Sequence, residues 1–368
     1  MIVWTYKIVE HSSMRPIARV EPKAASFTRI LNAVSTGGAT FNVRDGHDWL
    51  RLTAVWAMIF VAEWDGVPQY AGYVIDSRYS KTKGEITIKT ECVRTVFARR
   101  LPFAVIGTGS VPEYPDGTLK VDRKTWPAAV REILRRQAQG GDPERWNLPL
   151  VLPADATGGV SRTFWNYEFW TIEQMLSELQ NAEGGPDLDF DPRWSTAGTL
   201  EWVVRVGSPR LSRGRVDWHV DASRSAVTDF DAAWNGQKSF SGVHTIGKGS
   251  EKKMPVGKAG APIMPGGTVF LDGAHPYKEI SNLAQLNAQA RSDAAAFGQI
   301  TQQWSFKVEG SGDRGLPAIG DISLGLAAAL TFSSDPIFGP STHLRYVISY
   351  SCDMTNIASV EVQDIGPN

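Results

Sequence analysis

Three runs decide the fold: Trp56-Ala-Met-Ile-Phe-Val-Ala-Glu-Trp64, Gln69 to Arg78, and Glu85-Ile-Thr-Ile-Lys-Thr-Glu-Cys-Val93. Asp65-Gly66 separates the first two and Lys83-Gly84 the last two. Asp-Gly between apolar runs signals a hairpin, because that tight turn needs positive φ. The third run alternates apolar and polar residues, the period of a half-buried strand. Three strands joined by tight turns make an antiparallel meander.

Outward from the meander the pattern changes. Residues 101–123 are rich in Gly and Pro and read as a connecting loop. Val130, Ile133, Leu134 and Ala138 then fall at helical spacing, with Pro127 in the first turn and Gly140-Gly141 as the stop. A second helix opens at Thr171, where Gln174 completes a capping box, and Gly184-Gly185 ends it. Met175, Leu176 and Leu179 form its stripe, and Leu200 to Val206 returns to strand alternation. Residues 235–275 are thick with Gly, Lys and Pro and read as a long loop or loose hairpin. A third helix is expected over 278–297, with Ile280, Leu283, Ala290, Ala294 and Phe297 on one face. Strands at Trp304–Val308, Asp321–Leu326, Leu344–Tyr350 and Ser359–Gln363 close the chain. No repeat of 20–50 residues is visible.

The 368 residues leave room for two to four compact units. A hydrophobic share of 42% excludes an intrinsically disordered chain. Lys+Arg 38 against Asp+Glu 39 gives −1, so no global basic field draws the chain onto nucleic acid or anionic lipid. Two cysteines, Cys92 and Cys352, are too few for a disulfide framework and read as buried thiols. No signal peptide and no membrane-spanning run is expected. The surplus is in tryptophan, 13 residues, which calls for sheet cores or interfaces to cover.

The chemistry-bearing candidates are few. Gly242-Val-His-Thr-Ile-Gly247-Lys248-Gly249 follows a phosphate-binding loop until Gly249, where the magnesium-holding Ser or Thr belongs, and Pro255 argues against a following helix. Asp187-Leu-Asp189-Phe-Asp191 suggests a calcium loop, but Pro192 stands where the turning Gly belongs and Gly198 where a bidentate Glu belongs. In a strand its three acids form an exposed edge, with Leu188 and Phe190 inward. The six histidines show no zinc spacing; His47, beside Asp45 and Asp48, is the one local His–carboxylate group and reads as a solvated turn. No nucleophile elbow occurs. Arg131, Arg135, Arg136 and Arg145 are surrounded by Trp126, Trp146, Phe164, Trp165, Tyr167, Phe169 and Trp170. Such a mixture serves base or sugar stacking or a protein interface, and the neutral charge favours the interface. No catalytic, cofactor-binding or metal residue is assigned.

Ala25-Ser-Phe-Thr-Arg-Ile-Leu-Asn32, Tyr70-Ala-Gly-Tyr-Val-Ile75, Phe97-Ala-Arg-Arg-Leu101, Trp202-Val-Val-Arg-Val-Gly207, Gly320-Asp-Ile-Ser-Leu324 and Leu344-Arg-Tyr-Val-Ile-Ser-Tyr350 carry a resemblance. In this order the chain resembles the central tail hub, or minor tail protein, of long-tailed phages infecting actinobacteria. That group is similar in architecture to the baseplate hub of contractile-tailed phages. The likeness covers nearly the whole chain. It implies an α+β, predominantly antiparallel β protein, with two β-barrel-like domains and an inserted mixed α/β domain. The expected parts are a barrel-like domain over 1–105, a mixed α/β domain over 106–222, a loop-rich β segment over 223–310 with helix 278–297, and a β segment over 311–368 completing a barrel.

The resemblance also implies a homotrimeric ring at the tail tip, continuing the tail tube and passing DNA without binding it specifically. Its partners would be itself, the distal tail protein, the tail tube and other tip proteins, in a virion assembled in the host cytoplasm. No enzyme activity, cofactor or membrane insertion is expected. Larger relatives carry C-terminal wall-cleaving or spike modules; with the last strand so near Asn368, none is expected here. The alternative is a carbohydrate-binding or cell-wall-degrading tail-tip protein.

Overall fold

The computed structural model describes residues 4–43, 46–102, 118–139, 147–250, 253–260, 269–298, 300–310 and 319–364. The first stretch folds as β1 (Trp4–Glu10), β2 (Arg15–Val20), β3 (Ala24–Ile30), β4 (Thr36–Asn42), the one-turn helix α1 (Trp49–Leu52), β5 (Met58–Trp64), β6 (Val67–Ser80), β7 (Glu85–Glu91) and a second single turn, α2 (Arg94–Phe97). The meander is β5-β6-β7, antiparallel throughout. Its first turn has φ of 51° at Asp65 and 77° at Gly66, the conformation that Asp-Gly favours. β5 is buried at every position. Met58, Phe60, Ala62 and Trp64 face a main core, and Ile59 and Val61 face a second one. Burial on both faces explains why that strand reads as an unbroken apolar run.

The second core is completed by β8 (Thr118–Lys124), α3 (Trp126–Gln139), β9 (Leu150–Val151), β10 (Val160–Trp165), α4 (Ile172–Gln180), β11 (Leu188–Trp194) and β12 (Leu200–Val206). The loop expected over 101–123 is corrected: Thr118–Lys124 is a strand paired with β10. Its Leu119 and Val121 are buried, and Gly-Pro richness upstream hid that short alternation. Val130, Ile133 and Leu134 of α3 pack against Met175, Leu176 and Leu179 of α4 in this core. The Gly140-Gly141 stop and the remainder of 103–117 lie outside the described residues. At α4 the capping box forms as read, Thr171 Oγ1 accepting from Gln174 N at 3.2 Å and Gln174 Oε1 accepting from Thr171 N at 2.8 Å.

The last part contains β13 (Arg215–His219), β14 (Val227–Asn235), β15 (Gly242–Ile246), β16 (Val256–Gly260), β17 (Asp272–Pro276), α5 (Leu283–Phe297), β18 (Thr301–Glu309), β19 (Ala327–Asp335), β20 (Gly339–Cys352) and β21 (Ile357–Asp364). Three readings are corrected here. Of the two readings of residues 235–275, the long loop fails and the hairpin is met in part: β15 and β16 pair antiparallel, and β17 adds parallel to β15 as a third strand. Gly and Lys in those strands weaken the alternation, and α5 covers the sheet instead. The helix begins at Leu283, not 278, capped by Asn282, whose Oδ1 accepts from Ala284 N at 2.8 Å. Ile280 precedes it, Leu283 is exposed, and the buried face is Leu286, Ala290 and Ala294 with Asp293. Asp321–Leu326 is not a strand: a 3₁₀ turn covers Ile319–Asp321, and Gly325 takes φ of 83° before β19 starts. Ile322, Leu324 and Leu326 are nonetheless buried, which is why they alternate.

β1 to β7 join β13, β14 and β18 to β21 in one 13-stranded sheet, through antiparallel pairing of β3 with β20. The fold is predominantly antiparallel β with few helices, and the described sheets are open. The main sheet contains one strand order twice: β3-β4-β7-β6-β5-β1 and β14-β18-β21-β20-β19-β13. In both copies a 14-residue strand, β6 or β20, passes from one neighbour to another across a register shift. The copies differ at one edge, β1 pairing antiparallel to β5 and β13 parallel to β19. Among the described residues no helix is long and apolar enough to cross a membrane.

Candidate functional site: buried arginine joint, exposed aromatics and open edges

The acidic stretch Asp187–Asp191, which enters β11, is not an exposed edge. Asp189 is buried and takes both Nη2 contacts of Arg29 from β3, at 2.6 and 2.8 Å. Asp191 accepts from Arg29 Nη1 at 3.1 Å and from Arg213 Nη2 at 2.5 Å. Asp187 accepts from Asn32 Nδ2 at 2.8 Å and from the Leu211 amide at 3.0 Å. Burial alone would depress the Arg29 guanidinium, but Asp189, Tyr350 and Asp191 hold it well above its ordinary value. Burial raises Asp191, and Arg29 and Arg213 outweigh it, so its carboxyl lies below the ordinary range. The three carboxylates thus accept from two arginines, the Asn32 amide, the Tyr346 hydroxyl and a backbone amide. The joint ties β11, beside the second core, to β3 and β20 of the main sheet.

Gly242–Ile246 is strand β15, paired on both sides, and Lys248 N donates to Ile280 O at 2.7 Å. A Cβ at Gly247 would lie 2.5 Å from that same carbonyl oxygen, so close packing explains the glycine. His47 is exposed, edge-on to Trp49 with 5.4 Å between ring centroids. Asp48 caps α1, and Asp45 lies outside the described residues. Arg131 Nη1 donates to Pro153 O at 2.8 Å and Arg135 Nη2 to Glu132 at 2.8 Å. The Arg136 side chain, Arg145 and Trp146 lie outside the described residues. Cys92 and Cys352 are both buried thiols, pushed up by that burial. No group of three or more His, Cys, Asp or Glu residues among the described ones could hold a metal ion.

A cleft of about 1050 Å³ lies between the β8–β10 ribbon, α4 and α5, lined by Lys120, Lys124, Arg162, Glu178, Glu183 and Gln289. Four of its charged side chains meet a partner of opposite sign. Lys124 meets Asp155 at 2.7 Å, Glu183 meets Arg291 at 3.1 Å, and Arg162 meets Glu178 at 4.0 Å. Lys120, Lys124 and Arg162 against Asp122, Glu178 and Glu183 leave the lining without net charge.

The aromatic group around α3 divides. Phe164 is buried, and Trp126 and Trp170 pack against the second core. Trp165, Tyr167 and Phe169 face outward, Trp165 stacked on Tyr167 at 5.8 Å. Glu168 Oε2 holds this turn by accepting from Trp165 N at 3.2 Å and Trp170 Nε1 at 2.8 Å. Six tryptophans, Trp4, Trp49, Trp64, Trp202, Trp218 and Trp304, are buried. Two exposed aromatics that the sequence reading did not single out, Tyr79 on β6 and Trp234 on β14, sit at strand ends with no second neighbouring strand among the described residues. Also unforeseen, Asp293 of α5 accepts from Tyr277 Oη at 2.9 and 3.0 Å, and its Oδ2 lies 2.7 Å from His275 Nδ1, which locks α5 onto β17. Burial, helped by Asp293, pushes the Tyr277 hydroxyl up to about 12.

No family model and no curated protein matches the chain. Solved structures do share its fold. The 43 kDa tail protein of prophage MuSo2 from Shewanella oneidensis is 14% identical with a TM-score of 0.64, covering 99% of this chain and 98% of that one. A tail protein from Neisseria meningitidis MC58 is 14% identical with a TM-score of 0.58, covering 99% and 97%. Prophage tail protein gp18 from Listeria monocytogenes EGD-e is 8% identical with a TM-score of 0.54, covering 99% and 95%. The chain therefore has a fold found in phage tail proteins.

Proposed function

We propose that the chain is a non-enzymatic structural protein of a phage tail. In this reading three copies form the central hub at the tail tip, a ring that continues the tail tube and joins it to the tip or baseplate. The observation that carries it is fold likeness to three tail proteins along 99% of the chain. A net charge of −1 suits a conduit through which DNA must slide, since counterion release on a basic lumen would hold it. The expected parts, 1–105, 106–222, 223–310 and 311–368, belong to this proposal. So do the actinobacterial host, the distal tail protein and tail tube as partners, and a place in the virion after assembly in the host cytoplasm. Light scattering of the purified chain and electron microscopy of particles test it: three-fold rings at the tail tip are expected. A chain that stays monomeric at all concentrations and never joins a tail would refute it.

A second reading is favoured by the outward stack of Trp165 on Tyr167, a flat apolar surface beside polar groups. It makes the tail-tip protein a carbohydrate binder or wall hydrolase. Glycan pulldown with isolated cell wall separates the two.

A further inference from the structure

We infer that copies of this chain join by strand addition, the free edge of β14 in one copy pairing with the outer half of β6, Asp76–Tyr79, in the next. The inference rests on the reading of the chain as a ring-forming tail protein and deepens it by naming the two edges. Its template is inside the chain. There, β3 of the first strand set adds to the outer half of β20 in the second, with Ser349 opposite Ile30, Tyr350 opposite Arg29, Ser351 opposite Thr28 and Cys352 opposite Phe27.

The duplicated order identifies what corresponds to each side of that joint. β6 contains Tyr73-Val74-Ile75 and β20 contains Tyr346-Val347-Ile348, each immediately at a register shift. Val74 O accepts from Trp56 N at 2.8 Å and Val347 O from Gly325 N at 3.0 Å. Both donors have positive φ, 62° at Trp56 and 83° at Gly325. Asp76–Tyr79 therefore corresponds to Ser349–Cys352. On the other side β14 corresponds to β3. The last pairs with the inner neighbours are Thr28 with Thr36 and Asn235 with Thr301, which places Trp234 where β3 has Phe27.

Both corresponding edges are open. Among the described residues β14 pairs with β18 alone, and Asp76–Ser80 pairs with β7 alone. Phe27 and Cys352, covered by the joint within the chain, are 4% and 3% exposed. Their counterparts Trp234 and Tyr79 are 50% and 58% exposed. A flat edge ending in an exposed aromatic is a hazard for a monomer and a docking element for a partner strand. The contact is heterologous, so repeating it closes a ring when the rotation per copy closes. The occupant is thus a second copy of this chain.

The test uses the full chain. Tyr79→Lys and Trp234→Lys, each at an exposed position, should weaken assembly at least tenfold by light scattering while leaving the far-UV dichroism unchanged. Arg78→Cys combined with Asn235→Cys should give covalent dimers and trimers on a non-reducing gel, whereas either single substitution gives none. If the wild type forms rings, both lysine variants assemble equally well and the cysteine pair never links, these edges are wrong and the ring stands. If the wild type never assembles, the ring itself falls and this inference with it.

Discussion

Arg29 Nη2 lies 2.6 Å and 2.8 Å from the two oxygens of Asp189, and both side chains are 5% exposed. The pair joins β3 to β11, so the second core is held against the main sheet by charge as well as by apolar contact. A buried pair stabilises little over an apolar substitute, but breaking it strands the surviving charge. Arg29→Ala leaves Asp189 unpaired in a dry site and should cost about 3–5 kcal/mol. Urea unfolding measures it; a loss below about 1 kcal/mol would mean that water reaches Asp189 freely.

Asp191 gives a pH dependence with a definite sign. Its folded carboxyl lies below the ordinary range, since Arg29 and Arg213 outweigh burial. The folded state therefore binds fewer protons than the unfolded chain as acid is added. The stability it contributes is full above the unfolded value of ~3.9 and is lost as pH falls through the lower folded value. Unfolding free energy between pH 5 and about 3 should fall less steeply in Asp191→Asn than in the wild type. Equal slopes would show that the arginines do not act on this group.

Thr171→Ala removes the hydroxyl that accepts from Gln174 N at 3.2 Å. The helix it caps buries Ile172, Met175, Leu176 and Leu179, so fraying its first turn loosens the second core. A loss of about 1 kcal/mol is expected, with serine restoring most of it. An unchanged midpoint in Thr171→Ala would mean that solvent caps the helix as well as the side chain does.

Tryptophans on the two sides of the surface should respond differently. Trp202 is fully buried, stacked on Tyr73 at 6.0 Å, and Trp202→Ala should cost about 3–5 kcal/mol. Trp165 is exposed, so Trp165→Ala should stay within about 0.5 kcal/mol of wild type. If that folded variant loses binding to cell-wall glycan, the second reading replaces the first. Trp170→Ala cannot serve in the same way, because Trp170 packs on the second core and its loss disturbs folding.

Features whose signals are local are legible in the amino-acid order. The Asp65-Gly66 turn, the alternation of Ile86, Ile88 and Thr90, and the Thr171–Gln174 box each depend on neighbours within four residues, and each is found as read. Tertiary structure decided the rest. Asp189 looked like an exposed acid because its partner, Arg29, is 160 residues away. β15 to β17 read as a loop or loose hairpin, not a three-stranded sheet, because a helix, not strand alternation, supplies their apolar cover. The duplicated strand order is absent from the sequence as a repeat, apart from Tyr-Val-Ile, because a sheet needs a hydrophobic pattern and turn geometry that many different residues can supply. Which edges stay open is likewise a property of the assembled sheet: nothing near Trp234 or Tyr79 in the chain records that no second strand among the described residues lies beside them.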